Sequence, residues 1–119
     1  MQISVAINNS IAVIRISGKM IFDDSLFQLR EHVQEQLQSG IRRFIVDLAE
    51  VPHIDSSGCG EVIRVYSSIV KAEGSVAFVG LTERVRALWG RIKLDQVFQA
   101  FETADEAKQF LLKGAASAG

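Results

Sequence analysis

The feature that most constrains the fold is an apolar strand that leads through a polar, glycine-containing turn into an amphipathic helix. Residues 44–48 are apolar except for Asp47, which is typical of a buried strand. The turn, residues 55–60, reads Asp-Ser-Ser-Gly-Cys-Gly. Behind it, to about residue 72, apolar residues recur at helical spacing: Val62, Ile63, Tyr66, Ile69 and Val70. This order predicts an α/β domain with a mostly parallel sheet.

The flanking segments extend the same pattern. Two apolar runs, residues 3–7 and 11–16, enclose Asn8-Asn9-Ser10, whose residue types favour a hairpin turn. Their imperfect alternation predicts an outer position in the sheet. The remaining predicted elements are a helix over 24–38 capped near Asp23, a strand over 75–79, a helix after Thr82, an edge strand over 97–101 and a helix over 105–112.

Composition narrows the class of protein. The chain has 119 residues, 48% of them apolar, which suits one domain over residues 1–113 followed by a mobile tail at 114–119. A net charge of -1 and an isoelectric point near 6.1 argue against nucleic acid as a partner. A single cysteine, Cys59, excludes an internal disulfide. Without a signal segment or an apolar span, we expect a cytoplasmic protein that does not insert into a membrane.

The residues of the turn decide among several kinds of chemistry. A hydrolytic triad is disfavoured because His53 lies too close in sequence to Ser56, and because Asp55 stands two residues before Ser57, where a nucleophile elbow needs glycine. A nucleotide-binding loop is disfavoured because Glu61, not lysine, follows Gly60. No metal-ligand spacing is present, so we expect neither a metal nor a cofactor, and no catalytic residue. A serine that accepts a modification at the start of a helix is the remaining interpretation.

Residues 46–60 resemble the signature of STAS domains, the anti-sigma factor antagonists of bacteria. In that family an aspartate-leucine strand end leads into Asp-Ser-Ser-Gly and a helix. Outside this signature, looser matches occur in the family's order at Gly18, at 85–89 and at 106–107. The chain departs from the family at Lys93, where a glycine is common. The resemblance implies a mixed, mostly parallel sheet of four or five strands with helices packed mainly on one face.

The resemblance also implies a function. Ser56 would be phosphorylated by an anti-sigma factor that is also a serine kinase, and a PP2C-type phosphatase would reverse the reaction. The unphosphorylated form would bind the anti-sigma factor and free a sigma factor, without catalytic activity of its own. The alternative is a STAS regulatory subunit of a membrane transport assembly, such as a lipid-exporting ATPase.

Five neighbouring residues are expected to support this acceptor. Ser57 is interpreted as the N-cap or as a first-turn residue that caps a helical N–H. For Asp55 two roles stay open: a carboxylate held by backbone N–H groups, or a group that orients the acceptor hydroxyl or the kinase. Gly58 is expected to permit close packing. Near the preceding loop, Asp23 offers N-cap chemistry, and Phe22 is expected in the core, with partner contact as the alternative.

Overall fold

The chain forms a five-stranded sheet with four α-helices, seen in a computed structural model that describes the backbone of residues 1–118 and the side chains of residues 1–113. The elements are β1 Gln2–Asn8, β2 Ile11–Ser17, α1 Gln28–Gln38, β3 Arg43–Glu50, α2 Ser56–Lys71, β4 Ser75–Val79, α3 Glu83–Arg91, β5 Gln99–Phe101 and α4 Ala104–Ala118. Two 3₁₀ turns, Asp24–Phe27 and Leu94–Gln96, precede α1 and β5.

The strands lie side by side in chain order, and only the first pair is antiparallel. Asn9 and Ser10 connect that pair with φ values of 53° and 63°. Two central residues with positive φ are what the tightest hairpin turn requires, and asparagine tolerates this conformation better than most residues. The predicted hairpin and the mixed, mostly parallel sheet are therefore confirmed.

Alternation along the strands divides the core between the two faces of the sheet. On β3, Phe44 and Val46 face the larger cluster, to which α1, α2 and α3 contribute. Ile45 faces the smaller cluster, where Ala107 and Leu111 of α4 cover the opposite face. Three helices on one face and one on the other agree with the expected STAS architecture.

The predicted outer position of the first two strands is wrong for β2, which lies between β1 and β3. The imperfect alternation of residues 11–16 suggested an outer strand because of Arg15. This residue is exposed on the α4 face of the sheet, where its Nε lies 3.3 Å from Asp47 Oδ2. The other face of β2 is fully packed. On that face Ala12, Ile14 and Ile16 are buried, whereas Ile11 is buried on the α4 face.

The C-terminal helix is longer than the predicted 105–112, because α4 runs Ala104–Ala118. The side chains of residues 114–119 lie outside the described part of the chain, so the mobility of this tail stays a prediction. Among the described residues, no helix combines the length and apolarity that crossing a bilayer requires.

Candidate functional site

The carboxylate of Asp55 organises the turn before α2. Asp55 is the N-cap of that helix, and its Oδ1 accepts the backbone N–H of Gly58 at 2.9 Å. Its Oδ2 accepts the backbone N–H of Phe22 at 3.1 Å. A carboxylate in this position satisfies a helical N–H that would otherwise lack a partner and interacts favourably with the helix dipole. Of the two roles left open for Asp55, the backbone-held carboxylate is the one observed.

Met20 ties the loop after β2 to the same turn. Its backbone N–H donates to the His53 carbonyl at 3.0 Å, and its carbonyl accepts the Asp55 N–H at 3.1 Å. Met20 thereby forms an isolated parallel bridge with Ile54, and its side chain is fully buried. The sequence interpretation did not include Met20, although its position in a short apolar run between β2 and Asp23 was a usable signal.

Gly58 lets the helix approach this loop. A Cβ added to Gly58 would lie 2.2 Å from the Met20 carbonyl oxygen and 2.7 Å from Ile54 Cγ1. Real Cβ atoms do not approach backbone atoms so closely, so any side chain here would separate the loop from the helix. The expected packing role of Gly58 matches this geometry. A Cβ on Gly60, by contrast, would meet no described atom within 4 Å beyond its chain neighbours and the backbone of its own helix.

The two serines of the turn differ in exposure. Ser56 is the first residue of α2 and is exposed, whereas Ser57 is half-buried. The prediction that Ser57 caps the helix is wrong, because the Asp55 carboxylate already accepts the Gly58 N–H. Ser56 presents an exposed side chain at the positive end of the helix dipole, where an anion is tolerated.

Phe22 lies on the surface beside this turn. Its side chain is 77% exposed, so the expected burial in the core is wrong. The Asp55 carboxylate fixes the Phe22 backbone, while the neighbouring Met20 occupies the core. Phe27, at the end of the following 3₁₀ turn, is also 48% exposed. The loop thus presents two aromatic side chains to solvent on the α1 side of the turn.

Asp23 fixes the conformation between these aromatic residues. It is the N-cap of the 3₁₀ turn, and its Oδ1 accepts the Ser25 N–H at 2.8 Å and the Ser25 hydroxyl at 2.5 Å. The Ser25 hydroxyl, followed by the Ser25 N–H, lowers the pKa of Asp23. The predicted capping role of Asp23 is confirmed for this 3₁₀ turn, whereas the predicted helix over 24–38 is α-helical only from Gln28 onward.

A partly buried ion pair joins α1 to the first turns of α2. Glu61 is 1% exposed, and its carboxylate lies 2.6 Å from Arg30 Nη2 and accepts the Arg30 Nε–H at 3.1 Å. Arg64 approaches the same carboxylate at 3.5 Å. The hydrogen bonds with Glu61 raise the pKa of Arg30, whose guanidinium also lies 5.5 Å from the Phe27 ring centroid. The sequence interpretation used Glu61 only as evidence against a nucleotide-binding loop and missed this role.

Comparisons with known proteins agree with this fold. A family model described as STAS domain matches residues 2–107. A curated protein of Thermotoga maritima, named "Putative anti-sigma factor antagonist", is 28% identical over 75 residues, covering 63% of this chain and 66% of the relative. The chain therefore spans just under two thirds of that relative's length.

Solved structures extend the likeness over most of the chain. A crystal structure from Thermotoga maritima with the same designation has a TM-score of 0.84 at 20% identity, covering 92% of this chain and 93% of that one. The Bacillus cell fate determinant SpoIIAA in its phosphorylated form has a TM-score of 0.69 at 18% identity, covering 91% and 97%. At these identities, the structural likeness establishes a shared fold.

Proposed function

The chain belongs to the STAS domain family, and from that premise we propose that it is an anti-sigma factor antagonist switched by phosphorylation of Ser56. The unmodified chain binds an anti-sigma factor that is also a serine kinase, and so frees a sigma factor. A PP2C-type phosphatase restores the binding form. The observation that carries the proposal is the exposed Ser56 at the first position of α2, beside a fixed Asp55 carboxylate and an exposed Phe22.

The start of α2 can accept a phosphoryl group without unfolding. Phosphorylation adds roughly -1.5 to -2 charges and three acceptor oxygens. The helix dipole at Ser56 favours negative charge, and the exposed side chain leaves room for the group. The fold is therefore expected to persist, and the modification acts on the surface.

The same group would oppose docking of a partner. The Asp55 carboxylate is held by two backbone N–H groups, so it cannot turn away from a second negative charge. A partner that covers Phe22 would have to desolvate both charges. We expect a penalty of about 2–5 kcal/mol, which corresponds to roughly 30-fold to several thousand-fold weaker binding.

The test uses the serine-kinase anti-sigma factors encoded in the same genome as this chain. Each is incubated with the chain and ATP, and the intact mass and modified residue are determined. We expect one phosphoryl group on Ser56 of the unaltered chain and none on the Ser56→Ala variant. Ser56→Ala should still bind the anti-sigma factor, whereas Ser56→Asp should not. Ser67→Asp is the matched control, because it adds the same charge to an exposed position of α2.

Two results would refute the switch. One is tight binding of Ser56→Asp to the kinase, and the other is loss of binding by Ser67→Asp to the same extent. Constitutive co-purification with a transporter ATPase, without phosphate on Ser56, would replace the proposal by the alternative of a transport-assembly subunit.

A further inference from the structure

A second surface feature lies next to the turn, between α3 and the segment that leads into α2. It is a groove of about 310 Å³ lined by His53, Ile54, Arg84, Leu88 and Arg91. The hydroxyl of Thr82 donates to the Val51 carbonyl at 3.0 Å, which fixes the start of α3 against this segment. The two elements that line the groove are therefore hydrogen-bonded to each other at one point.

The charge of this groove is uncompensated within the described part of the chain. Arg84 and Arg91 are exposed, and neither forms an ion pair or a side-chain hydrogen bond with another described residue. No acidic side chain is among the lining residues. A second basic groove, near Arg30 and Arg64, differs because those two arginines already contact Glu61.

The spacing of the groove residues defines a complementary ligand. Arg84, Leu88 and Arg91 follow one another at intervals of four and three residues, so they share one face of α3. The two arginines are two helical turns, or about 10 Å, apart along the axis. Guanidinium groups bind carboxylates through paired hydrogen bonds, and Leu88 offers an apolar contact between them.

We infer that this groove binds an acidic segment of a protein partner. The segment carries an apolar side chain with one carboxylate on each side of it. Ile54 forms part of the groove and directly precedes Asp55, so a partner seated there reaches the surface around Ser56. The inference rests on the proposed function in one respect: the protein that carries the segment is the anti-sigma factor. The groove would then hold the partner through contacts that phosphorylation of Ser56 does not remove.

The first experiment tests the groove without any anti-sigma factor. The probe is a blocked five-residue peptide with glutamate at both ends and leucine at its centre, whose three side chains share one face when extended. It is titrated into the isotopically labelled chain at low salt while backbone and arginine side-chain NMR signals are recorded. We expect shifts at His53, Arg84 and Arg91, and their loss when both glutamates are glutamine or when salt is raised.

Arg86 supplies the matched control, because it is exposed on the same helix but does not line the groove. Arg84→Glu/Arg91→Glu should abolish the peptide-induced shifts, and Arg86→Glu should leave them. The inference is overturned if the peptide shifts no groove signal. It is also overturned if inorganic phosphate or ATP shifts these signals more strongly than the peptide, since the site would then recognise phosphate.

The second experiment uses the anti-sigma factor identified through Ser56. Arg84→Glu/Arg91→Glu should weaken its binding at least about tenfold, with Arg86→Glu close to the unaltered chain. Unchanged binding of the double variant would overturn the inference while the Ser56 switch stands. If the peptide binds the groove but none of the candidate anti-sigma factors phosphorylates Ser56, the proposed function is refuted and the groove remains an acidic-peptide site.

Discussion

The Asp55 carboxylate accepts the Phe22 backbone N–H at 3.1 Å across 33 residues of sequence, and in doing so joins the loop after β2 to the start of α2. The other oxygen of the same carboxylate caps the helix at Gly58. One side chain therefore sets the position of an exposed aromatic residue relative to the proposed acceptor, Ser56. A change at Asp55 alters the surface that a partner would meet as well as the stability of the helix.

Asp55→Asn should separate the two hydrogen bonds. The asparagine amide has a single acceptor oxygen, which can accept either the Gly58 N–H or the Phe22 N–H. Its NH₂ group then faces the other N–H, and that hydrogen bond is lost. Loss of one bond to a charged acceptor should lower the free energy of unfolding by about 1–3 kcal/mol. Urea unfolding measures this loss, and amide exchange at Phe22 and Gly58 shows which bond is broken. The control is Asp24→Asn, which changes an exposed acid in the loop that contains Phe22 and should alter neither the stability nor the amide exchange. Unchanged exchange at both the Phe22 and the Gly58 amide in Asp55→Asn would contradict the assigned hydrogen bonds.

Two glycines of α2 should respond oppositely to alanine. In Gly58→Ala the new Cβ would lie 2.2 Å from the Met20 carbonyl oxygen, so the loop must move, at a cost of roughly 1–3 kcal/mol or more. In Gly60→Ala the new Cβ meets no described atom outside its own helix within 4 Å, so the change should stabilise the chain by about 0.5–1 kcal/mol, because alanine has the higher helix propensity. Thermal unfolding of both variants checks the pair. Equal effects would show that the contact with Met20 is not tight.

The sequence was sufficient for the elements around the turn because their signals are local. The apolar run before Asp55, the residue types of the turn and the helical spacing after it predict strand, turn and helix without reference to the rest of the chain. The partner of the Asp55 carboxylate was not predictable in this way, since Phe22 lies 33 residues earlier. Ser57 was misassigned for a related reason: aspartate and serine can both cap a helix, and geometry decides between them.

Arg30→Ala should destabilise the chain more than Arg64→Ala. Removing Arg30 leaves the 1% exposed Glu61 carboxylate with one ion-pair contact among the described residues, at 3.5 Å from Arg64. Because Arg30 itself is 39% exposed and partly screened, we expect a loss of about 1–3 kcal/mol, against about 0.5 kcal/mol for Arg64→Ala. Urea unfolding of the single variants measures the difference. The double variant Arg30→Met/Glu61→Leu should recover most of the loss, and failure to do so would point to lost packing by Arg30 rather than to an unpaired charge.

The burial of Glu61 shows how helical periodicity can be misjudged from apolar residues alone. Ile63 and Val70 were counted in the apolar pattern, yet they are 41% and 48% exposed. The buried face instead follows Gly58, Glu61, Val65 and Ile69, which include a glycine and a carboxylate. The spacing of Glu61 from Val65 was a usable signal, but its ion pair depends on how α1 crosses α2, which the spacing does not determine.

Cys59 should be unreactive in the folded chain and reactive once α2 separates from the core. Cys59 is 3% exposed, and burial raises the pKa of its thiol, so the nucleophilic thiolate is depleted relative to the unfolded chain. A disulfide reagent at mildly alkaline pH should therefore modify the native protein slowly and the urea-unfolded protein rapidly. Because the pKa is higher in the folded state, the unfolded thiol ionises first as pH rises above about 8.5. The unaltered chain should consequently lose stability above that pH relative to Cys59→Ala, and parallel pH profiles of the two would contradict the assignment.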